Sequence, residues 1–68
     1  MRAYVIKWDY MGRNWIAHRT HILSAYNLKD ARERFNDWHE AHGEHRPGGE
    51  LRHPFHITIH RAQEATKA

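Results

Sequence analysis

Sixty-eight residues carrying a formal charge of +3, a pI near 9.7 and no cysteine describe one small basic domain that no disulfide or thiolate-bound metal can staple. That excludes a secreted disulfide framework and favours the cytoplasm, and no apolar run approaches the ~18 residues that span a bilayer. The opening MRAYVIKWDY lacks the long apolar core and cleavage site of a secretory leader. Histidine is the unusual component: with eight of them, any electrostatic binding strengthens in acid.

Ala3 to Trp8 alternates Tyr4, Ile6 and Trp8 against Ala3, Val5 and Lys7, which predicts a strand with apolar groups on both sides. Asp9 to Asn14 supplies a turn, with Gly12 the residue best suited to positive φ. Asn14 to Ala25 predicts a longer returning strand, with Ala17, Arg19, His21 and Leu23 on one side and Ile16, His18, Thr20 and Ile22 on the other. Neither side is cleanly polar, so a bulge near its middle is expected and its register stays open.

Asn27 to His42 carries the strongest signal. Leu28, Ala31, Phe35 and Trp38, with His42 next, recur at spacings of three and four and predict an amphipathic helix. Asn27 is its N-cap, Asp30 stands in for the capping-box acid, and Gly43 is expected to end it by turning left-handed. Gly43 to Pro54 holds three of the four glycines and both prolines and predicts a loop of about a dozen residues. Phe55 to Ala62 alternates Phe55, Ile57 and Ile59 inward with His56, Thr58 and His60 outward, a third strand. Residues 63–68 have nothing to bury and are expected to fray, leaving residues 1–62 as a single domain.

A hairpin, a helix and a returning strand give an α+β domain of ββαβ order, a three-stranded antiparallel sheet in the order 2-1-3 with the helix on one face. The hairpin YVIKWDYMGRNW, the helix entry LSAYNLKDARERF with Ala25, Asn27 and Ala31, and the closing FHITIHR resemble many small phage and prophage proteins of this layout. Some anti-CRISPR and other host-takeover proteins are among them. The resemblance spans roughly residues 3 to 62 and implies the fold and a role as an accessory protein in a bacterial host; it carries no functional residue.

His39, His42 and His45, with His53 across the loop, are the candidate metal ligands, set against the ordinary reading that histidines favour a helix C-terminus. No cofactor is expected. Enzymatic chemistry is not expected either, because the sole serine, Ser24, lacks a nucleophile elbow and GEHRPGG is not a phosphate-cradling loop. A nuclease built on His56 or His60 with an arginine is the catalytic alternative.

The binding candidates are His56, Thr58, His60 and Arg61 on the closing strand, Arg46, Arg52 and His53 in the loop, and Trp15 in the hairpin. They suit either of two partners. Apolar groups on the open sheet face, rimmed by Arg and His, point to a bacterial host protein or to a homodimer. The basic groups with Trp8, Tyr10 or Trp15 suit DNA or RNA. The leading expectation is a non-enzymatic module that inhibits or modulates a host protein, and direct nucleic-acid binding is the alternative.

Overall fold

β1 (Arg2–Met11) is the central strand of a three-stranded antiparallel sheet in the order β2-β1-β3, paired with β2 (Ile16–Ala25) on one side and β3 (Phe55–Arg61) on the other. One helix, α1 (Leu28–His42), crosses one face, so the domain has the expected α+β ββαβ layout. This computed structural model describes residues 1–62; the tail 63–68 lies outside the described residues.

The two-residue period of a strand explains the layers. Tyr4, Ile6, Trp8 and Tyr10 are all buried beneath α1, while Val5, Lys7 and Asp9 lie on the opposite, open face. β2 pairs with β1 without interruption from Arg2↔Ala25 to Met11↔Ile16, so the bulge expected there is absent. That register puts Ala17, Arg19, His21 and Leu23 on the helix side and Ile16, His18, Thr20 and Ile22 on the open side.

The irregularity sits in β3 instead. Lys7 pairs with Thr58 and Asp9 with Phe55, so one β1 residue faces two on β3, and His56 takes the left-handed φ of 55°. The bulge changes the phase of the strand. Phe55, expected to face the helix, lies opposite Asp9 and is partly exposed, and only Ile57 and Ile59 pack on the core.

α1 begins as predicted. The Asn27 side chain accepts the Asp30 N–H at 2.8 Å, while the Asp30 carboxylate accepts the Tyr26 N–H at 2.9 Å and Arg34 at 2.8 Å. Its rotation differs from the expected stripe. Ala31, Phe35 and His39 are the buried row, Leu28 is 56% exposed, and His42 is exposed beyond a half-buried Trp38. The floor contributed by β1 accounts for this, because the Tyr10 hydroxyl lies 2.6 Å from Nε2 of His39. A buried imidazole needs such a partner. Trp38 is turned aside and stacks on His21 of β2 with ring centres 3.9 Å apart.

Two glycines serve close approach and not the left-handed turns expected of them. Gly43 ends the helix at φ −68°, and a Cβ there would come within 2.5 Å of the His39 carbonyl oxygen. Gly12 is absent from the positive-φ residues, and a Cβ on it would collide with the Trp15 indole. No helix among the described residues is long and apolar enough to cross a membrane.

Phe35 belongs to one buried cluster with Ile6, Trp8 and Tyr10 and has no exposed surface, with its ring 4.8 Å from that of Trp8. Phe35→Ala should cost about 3–5 kcal/mol in a urea melt, enough to leave much of so small a domain unfolded. A loss below about 1 kcal/mol would contradict this packing.

Candidate functional site

The hairpin tip and the loop after α1 meet at one end of the sheet. The Gly12 N–H donates to the Trp15 carbonyl at 2.9 Å, closing a tight turn that holds Arg13 and Trp15 outward. The segment expected to be an irregular loop is itself a small hairpin. Arg52 N–H donates to Glu44 O at 2.9 Å, Arg46 N–H to Glu50 O at 2.7 Å, and Gly49 N–H to Arg46 O at 2.8 Å, with His45 and Leu51 bridged. Gly48 and Gly49 turn it at φ of 129° and 95°, a region that only glycine enters freely.

A second set of contacts fastens this hairpin to the core. Glu44 forms an ion pair with Arg19 of β2, and its N–H reaches the Tyr10 hydroxyl at 3.4 Å. That hydroxyl is free to donate to His39. Burial, foremost, pushes the His39 imidazole below its ordinary 6.5, His53 and His45 act the same way, and Glu44 opposes them. The neutral ring therefore serves as the acceptor.

Between the two tips lies a cleft of about 470 Å³ lined by Arg13, Trp15, Arg46, Arg52, His53 and Phe55, with no carboxylate among its lining residues. The Trp15 indole rests against the bare backbone of Gly12, and the Arg52 guanidinium stands 4.9 Å over its ring. His53 meets Phe55 edge-on at 4.9 Å. Arg46 is only loosely held by Glu50, at 3.6 Å across exposed side chains.

The open sheet face carries the other group. Asp9 lies between two imidazoles, with His18 Nδ1 at 2.6 Å from one carboxylate oxygen and His56 Nδ1 at 3.0 Å from the other. Hydrogen bonds from His18 and then His56 hold the Asp9 carboxyl below its ordinary 3.8, so it is the acceptor and both Nδ1 atoms carry the proton. Lys7 stands in the next row of the same face, between Thr20 and Thr58, and these residues line a shallow cleft of about 420 Å³.

The structure thus brings Trp15, Arg46, Arg52 and His53 together and puts His56 and Thr58 in the adjoining cleft. His60 follows on the same face, opposite Val5, whereas Arg61 pairs with Tyr4 on the helix side and does not join them. His39 and His42 do not converge with His45, since His39 is tied to Tyr10 and His42 stacks on Trp38. Among the described residues no group of three or more His, Cys, Asp or Glu is placed to hold a metal ion.

Comparison of the chain with protein families, curated proteins and solved structures finds no match. Sequence reasoning missed Arg13, Phe55, Lys7, Asp9 and His18. A hairpin register symmetrical about Gly12–Trp15 would have paired Asp9 with His18, but nothing in the alternation of β3 announces the bulge that adds His56.

The buried His39 has a consequence for stability. Its folded-state pKa is depressed, so the unfolded chain binds the extra proton and stability falls as pH drops through about 6.5 towards the lower folded value. His21, lowered by burial and by His42, adds a change of the same sign. Asp9, Asp30 and Glu44 all lie below their ordinary values and lose their contribution only in stronger acid. Urea melts at about pH 7.5 and 5.5 should show lower stability at the acid end and a smaller difference in His39→Gln; an equal difference in both proteins would remove His39 as the cause.

Proposed function

We propose that the protein is a binding module for single-stranded nucleic acid, with the cleft between the hairpin tip and the 44–52 loop as its principal contact. The observation that carries this reading is the cleft's lining, in which three arginines and a histidine interleave with Trp15 and Phe55 and no carboxylate intervenes. Cations track phosphates, and aromatic rings or a guanidinium lying on an indole stack unpaired bases. Trp8 and Tyr10, the other stacking candidates, are buried beneath α1, which leaves Trp15 for the role.

A second reading has its own support. Ile16 and Ile22 of β2 are exposed on the open face, Ile22 at 62%, beside Val5 and a rim of histidines. Exposed apolar groups of this kind suit a protein partner. On this second reading the partner is a bacterial host protein, met in the host cytoplasm and inhibited by occlusion, as the resemblance in layout to small phage accessory proteins implies.

Fluorescence anisotropy with labelled single-stranded and duplex oligonucleotides at two salt concentrations tests the first reading. Single strands should bind better than duplex, with a slope of log affinity on log salt near −2 if the three arginines each neutralise one phosphate. Trp15→Ala should weaken single-strand binding by about 1–3 kcal/mol without unfolding the domain. Equal affinity for duplex, or none for either at low salt, would refute it.

For the second reading, immobilised protein should retain a defined protein from nuclease-treated bacterial lysate and lose it in Ile22→Lys. Retention that disappears with nuclease treatment would assign the capture to nucleic acid.

A further inference from the structure

The Asp9 cluster is not used by the binding cleft. Its two imidazoles do not share an exposed surface by accident of composition: the unbroken register of β2 brings His18 opposite Asp9, and the β3 bulge delivers His56 to the other carboxylate oxygen. The Asp9 side chain is largely covered, at 17% exposure, while those of His18 and His56 are 78% and 65% exposed. A sheltered carboxylate orienting two accessible imidazoles is an arrangement for proton transfer, because binding Nδ1–H fixes the tautomer and leaves each Nε2 as the ring's free acceptor.

The geometry sets two imidazoles side by side on one carboxylate, so that one can act as base and the other as acid. Lys7, about 6.7 Å along the strand from Asp9 at two residues' rise, adds an ammonium on the same face. Arg19 borders this cleft, but its side chain lies on the helix side, where Glu44 holds it. An RNA strand brings its own nucleophile in the 2′-hydroxyl. The two clefts also adjoin, since Phe55 lines one and its neighbour His56 the other, with ring centres 6.5 Å apart.

We propose that His18, His56 and Lys7, with Asp9 as positioning residue, cleave single-stranded RNA by internal transphosphorylation. This rests on the nucleic-acid reading above. The neutral imidazole takes the proton of a 2′-hydroxyl as that oxygen forms a bond to the neighbouring phosphorus. The bond from phosphorus to the 5′-oxygen breaks, and the imidazolium gives its proton to that leaving oxygen. Lys7 faces the non-bridging oxygens. The products are a 2′,3′-cyclic phosphate and a 5′-hydroxyl end, and no co-reactant is consumed.

The test pairs cleavage with binding. A labelled single-stranded oligoribonucleotide is incubated with the protein across the pH range while its fully 2′-O-methylated counterpart, which cannot react, is titrated by anisotropy. The expected result is fragments ending in cyclic phosphate, a bell-shaped dependence of rate on pH, and a fall of about a hundredfold or more in each of His18→Asn and His56→Asn, far larger than any loss of 2′-O-methyl affinity. Asparagine tolerates the left-handed backbone at position 56, so that variant keeps the bulge. Asp9→Asn should displace the bell as well as lower it, which loss of a merely structural contact would not do. Binding of the 2′-O-methyl strand without cleavage of RNA, or cleavage undiminished in both histidine variants, overturns the proposal and leaves the binding reading standing. Failure of the 2′-O-methyl strand to bind overturns both.

Discussion

The whole domain depends on the two-residue period of one strand that is paired along both edges. Because β1 lies between β2 and β3, its even-numbered side chains have nowhere to go but under the helix, and its odd-numbered ones stand in the middle of the open face. Tyr4, Ile6, Trp8 and Tyr10 thus form the floor of the core, and Lys7 and Asp9 form the centre of the exposed chemistry. A slip of one residue would exchange the two sets, placing a lysine and an aspartate beneath Phe35. The hydrophobic demand of the core is therefore what holds the polar cluster in place.

Within that core the contact between Tyr10 and His39 decides how the helix is turned. The row of Ala31, Phe35 and His39 faces the sheet, and Phe35 joins Ile6, Trp8 and Tyr10 of β1 in one buried cluster. Trp8 is at their centre, edge-on to Tyr10 and Trp38 and tilted against Phe35. Its buried indole N–H has no hydrogen-bond partner among the described residues. The core is aromatic and partly polar, a dense solution for a chain with few aliphatic residues to bury.

Much of the architecture was legible because it is governed by local periodicity. The alternation of Tyr4, Ile6 and Trp8, the Asn27 cap and the three-and-four spacing around Phe35 each specify an element independently of the others, and element lengths then leave few ways to close a sheet. Contacts that depend on non-local geometry were not legible. Leu28 and Trp38 look as apolar as Phe35, and only the Tyr10 hydroxyl distinguishes the His39 face. Phe55 obeys the alternation of its strand until the bulge at His56 breaks it. Trp15, Arg46, Arg52 and His53 were recognisable one by one as surface groups suited to binding, but their convergence required the 44–52 segment to fold into a hairpin whose bonds run between backbone atoms that no side-chain pattern reports.

The same 44–52 hairpin bears on how tightly any ligand can be held. Its base is fixed to three different elements: Gly43 N–H to the end of α1, Glu44 by its ion pair to β2, and the Glu44 N–H to a tyrosine of β1. A free twelve-residue segment would surrender conformational entropy when it closed on a ligand, at about 1–2 kcal/mol for each residue ordered. Here most of that loss has already been incurred in folding. A cleft walled by so short a protein can therefore keep a larger share of its contact energy as affinity, and one made from a slack loop of equal composition would keep much less.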